Sequence, residues 1–130
     1  SILEEKYPNK IIDSVWNNTI KTGVSGRGMN NPPEYIYEVE KSCFNIIKKE
    51  IDILNPDIIL FLSGPNYDIE IINSLGNIEF ECISPDYSDR QISKIVSDVN
   101  QNIFRTYHPG FLWRNDIDSY FKTIINKINL

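Results

Sequence analysis

Residues 57–63 read Asp-Ile-Ile-Leu-Phe-Leu-Ser, an unbroken apolar run set between Asn55-Pro56 and Gly64-Pro65. The run is short for a helix, and it does not alternate, so a strand made from it is apolar on both faces. Such a strand needs packing above and below, as in a parallel sheet covered on both sides by helices. The rest of the chain must supply that cover. Residues 34–54 do so most clearly. Ile36, Val39, Cys43, Ile46, Ile47, Ile51 and Leu54 recur at steps of three and four and give one apolar face. Pro33 sits just before this helix, where its missing N–H costs nothing, and Asn55-Pro56 stops it.

The same reading continues along the chain. Residues 67–75 predict a helix closed by Gly76. Residues 116–130 predict an amphipathic closing helix with Ile117, Tyr120, Phe121, Ile124, Ile125 and Ile128 on one face and Asn115 or Asp116 as its cap. Further strands are expected at 13–18, 77–84 and 102–107, and 90–96 fits a strand or a helical turn. The stretch 22–33, with three glycines and two prolines, reads as a long loop, and 1–12 as a short helix and a turn at Pro8. Alternating strands and helices imply one α/β domain over 1–130, a three-layer α/β/α arrangement around a short, mostly parallel sheet. Ligands gather at the carboxyl ends of the strands of such sheets. Here those ends carry Asn17-Asn18, Ser63-Gly64 and His108-Pro109.

Composition narrows the function classes. The chain has 130 residues, 41% hydrophobic and 24% charged, which is globular composition. No apolar run approaches the roughly 20 residues of a membrane helix, and no signal peptide opens the chain, so no membrane partner is expected. Two cysteines, Cys43 and Cys82, make no disulfide framework, and reduced thiols point to the cytoplasm. A net charge of −5 argues against a general nucleic-acid coat, while leaving room for one local contact patch.

Three stretches, taken in order, resemble the uracil-DNA glycosylase superfamily, nearest its iron–sulfur branch. They are Asn18-Thr19-Ile20-Lys21, then Glu40-Lys41-Ser42-Cys43 leading through a helix into Leu54-Asn55-Pro56-Asp57-Ile58-Ile59, and last Arg105-Thr106-Tyr107-His108-Pro109-Gly110-Phe111-Leu112-Trp113-Arg114. The resemblance spans about 13–130, the C-terminal two-thirds of that fold. Two departures accompany it. The family's first strand and catalytic loop, which carry the water-activating residue and the base-stacking aromatic, have no match here. The cluster ligands are also missing: Thr22 stands where that branch has a Cys, and only Cys43 matches a ligand position. A cluster needs about four thiolates, and one His with two scattered Cys makes no zinc site. No metal and no cofactor are expected.

The resemblance implies roles that the chemistry supports. Asn18, with Asn17 as the alternative in another register, offers the donor and acceptor that read a uracil edge. The bland alternative is an Asn capping a turn. His108 would donate to the uracil oxygen as charge builds on the leaving base, against the alternative of a loop histidine bonded to backbone. Lys21, Arg105, Pro109 and Arg114, with Arg27, would lie along DNA phosphates while the base is flipped, or else be ordinary surface residues. Phe111 and Trp113 flank the His-Pro loop as wedge or as core. The Gly23–Gly28 cluster lacks the Lys-Ser/Thr ending of a phosphate loop.

The expected function is therefore a uracil-DNA-glycosylase-like domain that recognises a flipped uracil-type base in DNA. Its chemistry is related to N-glycosidic bond hydrolysis, but the chain is not expected to be competent alone. It is expected to be a fragment whose sheet is completed by an N-terminal segment or a partner strand. The alternative is a non-catalytic nucleotide- or protein-binding module on the same fold.

Overall fold

The computed structural model describes residues 2–16 and 46–130. The chain divides into two compact units, Ser1–Val15 with Pro56–Leu130, and Trp16–Asn55. In the second unit the described helix is α2, Ile46–Leu54. Its expected amphipathic spacing is present, an exposed Lys48–Asp52 pair at 2.8 Å spans one turn, and Asn55 ends it with φ 45° immediately before Pro56. The part of the predicted 34–54 helix before Ile46, and the 22–33 loop, lie outside the described residues.

The first unit opens with α1, Ile2–Lys6. After Pro56 come β1 (Ile59–Phe61), a 3-10 turn (Pro65–Tyr67), α3 (Asp68–Leu75), β2 (Glu79–Glu81), β3 (Ile92–Val96), β4 (Ile103–Thr106), α4 (Pro109–Arg114) and α5 (Ile117–Ile125). The strands form one sheet of order β1-β4-β3-β2. β1 runs parallel to β4, with Leu60 opposite Phe104. The β4–β3 and β3–β2 pairs are antiparallel. The protein is thus a mixed α/β structure with a mixed sheet, and the expectation of a mostly parallel sheet is corrected. Connection length is the reason. A parallel return needs a crossover of about a dozen residues or more, whereas residues 97–102 alone join β3 to β4. The β2–β3 connection folds back on itself at the Ser84–Tyr87 bridge.

β4 sits in the middle and is buried throughout. On one face Phe104 packs with Ile92 of β3, Leu112 of α4, Tyr120 and Ile124 of α5, and Ile128 beyond it; Leu3 and Tyr7 join this cluster. Burying a side chain like Phe104 contributes about 1.5–3 kcal/mol. On the other face Arg105 reaches Asp68, the first residue of α3. Helices therefore lie against both faces of the central strand. The closing helix buries the face expected of it. Its cap is Asp116, one of the two expected residues, which takes a left-handed conformation, φ 60°, and makes no side-chain capping bond.

Residues 11–16 form no strand, against the expectation for 13–18, and Ile11, Val15 and Trp16 are exposed. The helical α1 packs by α5 and does not join the sheet: the Lys6 ammonium donates to the carbonyls of Ile125 and Ile128, and the Tyr7 hydroxyl to Ile128. Among the described residues β4 is the one neighbour of β1, so neither 13–16 nor 2–12 adds a strand beside it.

Candidate functional site at the carboxyl ends of the parallel pair

Because β1 and β4 are parallel, their carboxyl ends open onto the same edge. The Gly64 N–H donates to the Thr106 carbonyl at 2.9 Å and carries the pairing one step past β1. Gly64 then turns the chain with φ 74° and ψ 169°, a backbone region that only glycine occupies without strain. A Cβ there would also stand 3.8 Å from the Tyr107 ring. The loops 62–66 and 107–110 are in this way held side by side.

The residues after β4 were expected to be a loop and are instead a short helix. Pro109 sits at its first turn, where proline is pre-set for helix, and His108 is the N-cap. The Gly110 N–H donates to His108 Nδ1 at 3.1 Å. A donor aimed at Nδ1 requires a lone pair there, so the neutral ring carries its proton on Nε2. His108 is exposed, and it therefore presents an N–H donor at the carboxyl end of the sheet. A Cβ on Gly110 would lie 3.3 Å from Nδ1, so glycine permits this close approach. Tyr107 supports the loop from below, its ring 4.2 Å from Phe111 and 6.3 Å from Tyr120. Leu112 is fully buried and anchors α4 in the core.

Arg105 is corrected from a DNA contact to an internal tie. Its side chain is 2% exposed. Nε and Nη2 donate to the two Asp68 carboxylate oxygens at 2.8 and 3.0 Å, and Nη1 donates to the Arg90 carbonyl at 2.8 Å. Nη2 also approaches the Ser93 hydroxyl at 3.4 Å, and the guanidinium lies 5.5 Å from the Phe80 ring centre. A guanidinium held this way does not reach a phosphate. A charged residue inside the otherwise buried run Ile103–Thr106 demands a carboxylate partner, and that requirement was the signal that could have found Asp68. Nothing comparable in the sequence pointed to Gly110.

Pro109 is half-buried in the first turn of α4, and Arg114 is exposed at its end. Asn17, Asn18 and Lys21 lie outside the described residues, as does any meeting of Asn18 with His108. The segments past this edge, 62–67 and 107–115, contain no Asp or Glu; Asp68, paired with Arg105, and the exposed Asp116 follow them. Among the described residues no group of three or more His, Cys, Asp or Glu could hold a metal ion, and no helix is long and apolar enough to cross a membrane. No family model, no curated protein and no solved structure matches the chain.

Proposed function

We propose that this chain is a uracil-DNA-glycosylase-like domain that recognises a flipped, uracil-type base in DNA, with His108 at the base. Beyond the three stretches of sequence resemblance, the observation that supports this reading is the state of His108. Its Nδ1 accepts from Gly110 and the side chain is exposed, which leaves Nε2 as the ring's donor. An oriented donor is the group needed to stabilise charge on a departing pyrimidine oxygen.

The test compares single-stranded oligonucleotides that differ by one base, uracil or cytosine, in fluorescence anisotropy. The uracil strand is expected to bind about tenfold tighter, the worth of one well-made hydrogen bond. Asn18→Ala is expected to abolish that preference, whereas His108→Ser, which retains an N-cap acceptor, is expected to weaken both strands alike and leave the fold intact. Equal binding of both strands, insensitive to these substitutions, refutes the reading. Excision of uracil by the isolated chain is expected to be negligible, because the family's water-activating loop has no match in the sequence.

A second reading, a binding module without catalysis, draws on the net charge of −5 and on the same absence. Uracil preference without excision, persisting when the chain is joined to a glycosylase-type N-terminal strand and loop, would favour it.

A further inference from the structure

β2 closes the sheet on the side away from β1, and β3 is its one neighbour among the described residues. Its outer edge therefore carries backbone N–H and C=O groups that no strand of the described residues pairs, a template for one more strand. Side chains alternate along it. Glu79 and Glu81 are exposed and share one face with Val96 and Lys94, which stand opposite them on β3. Phe80 belongs to the other face, half-buried, its ring centre 5.5 Å from the Arg105 guanidinium. Neither glutamate forms an ion pair among the described residues. The sign persists beyond the strand: residues 76–89 hold no lysine or arginine, and Asp86 and Asp89 there are exposed. Arg90 and Lys94 are the first cations after it, and Lys94 lies on β3, on the inner side of Glu81.

Glutamates on an edge strand keep it from pairing with a copy of itself. Two β2 strands paired antiparallel about Phe80 would set Glu79 of each opposite Glu81 of the other, and like charges facing each other are destabilising. The same two residues select for the opposite sign. We infer that the β2 edge is a docking site for an extended, lysine- or arginine-rich segment of a partner protein, which adds to the sheet as a further strand. Main-chain bonds give such a complex its affinity, and alternate side chains give it specificity. Every second residue of the guest would be basic, opposite Glu79 and Glu81. Those between would be apolar and extend the Phe80 side of the sheet. Glu81 would then lie between two cations, Lys94 and the guest's, in a row across three strands. The net charge of −5 draws the same kind of partner from a distance. This site is independent of the reading at His108, because β1 and β2 are opposite edges of the sheet.

The probe is a labelled seven-residue peptide of alternating lysine and valine, followed by fluorescence anisotropy at low salt. It is expected to bind, and the glutamate–valine peptide of the same length is not. A lysine–valine peptide N-methylated at alternate amides keeps its charge but cannot complete a ladder, and it is expected to bind at least tenfold more weakly. The double variant Glu79→Gln with Glu81→Gln is expected to lose about tenfold for the lysine peptide, the worth of two charged cross-strand pairs. Glu79→Lys with Glu81→Lys is expected to transfer binding to the glutamate peptide. Both pairs of substitutions are at exposed positions and should leave the melting temperature within a few degrees. Amide hydrogen exchange of residues 79–81 is expected to slow when the peptide is bound. Absence of binding, equal binding of the N-methylated peptide, unchanged affinity in the glutamine variant, or protection confined to β1 each overturns the β2 site. None of these outcomes touches the uracil preference, which is read with a different ligand.

Discussion

Removing the carboxylate of Asp68 should destabilise the first unit more than any surface substitution. Asp68 receives two charge-assisted hydrogen bonds from Arg105, at 2.8 and 3.0 Å. In Asp68→Ala the guanidinium stays inside, 2% exposed, with the Arg90 carbonyl and a long contact to Ser93 as its remaining partners. Breaking one side of a buried pair costs about 3–5 kcal/mol, because the other charge is left without compensation. Asp68 itself is 26% exposed, so water can partly take its place and the low end, about 3 kcal/mol, applies. For a chain of this size that loss lowers the melting temperature by roughly 10–15 °C. Arg105→Met in the same background should recover part of it, since an apolar side chain of similar length replaces the stranded charge. The coupling between the two sites should be about 1–3 kcal/mol in favour of the double variant. Urea unfolding followed by circular dichroism, on the native chain, both single variants and the double, measures all four corners. If Asp68→Ala melts within about 2 °C of the native chain, or if the two effects simply add, the tie is not what holds β4 to α3.

Asn102→Ala should cost about 2–3 kcal/mol, read by the same denaturant curves. The buried side chain donates to Asp57 and Asn129 carbonyls and accepts from the Asn129 N–H, and its loss strands backbone groups. Gly110→Ala should leave the melting temperature within a few degrees yet weaken binding of the uracil strand, because a methyl at 3.3 Å from Nδ1 displaces the imidazole. Proton–nitrogen correlation spectra of the His108 ring, in native and variant chains, would report that displacement directly.

What the sequence made legible was whatever depends on local periodicity. The apolar face of residues 117–128 is buried as its spacing requires, Gly76 closes α3 with φ 82°, and the apolar run after Pro56 contains β1. Pairing direction was not legible, because it is decided by connection geometry and non-local partners, and the short β3–β4 link overrode the expectation of parallel strands. The helix at 109–114 escaped notice since Gly110 is a poor helix former. It is Leu112 burial and the His108 cap that hold it, and both exist only in the folded chain. Arg105 misled for a related reason. A lone arginine on a strand looks the same in sequence whether it faces solvent or a buried carboxylate. The position of His108 just past β4 was legible, because an apolar strand ending in His-Pro is bounded on both sides.

The clasp between α1 and the end of α5 has a mechanical consequence. Lys6 and Tyr7 hold the carbonyls of Ile125 and Ile128, so the two ends of the first unit are fastened to each other at one corner. A force applied between those ends would load the clasp first, and load its bonds one after another. The parallel β1–β4 pair, fastened away from that corner through Gly64 and Thr106, would carry no tension until the clasp had parted. The domain would thus yield to pulling by peeling from its ends, with the strand pair that presents His108 among the later parts to give way.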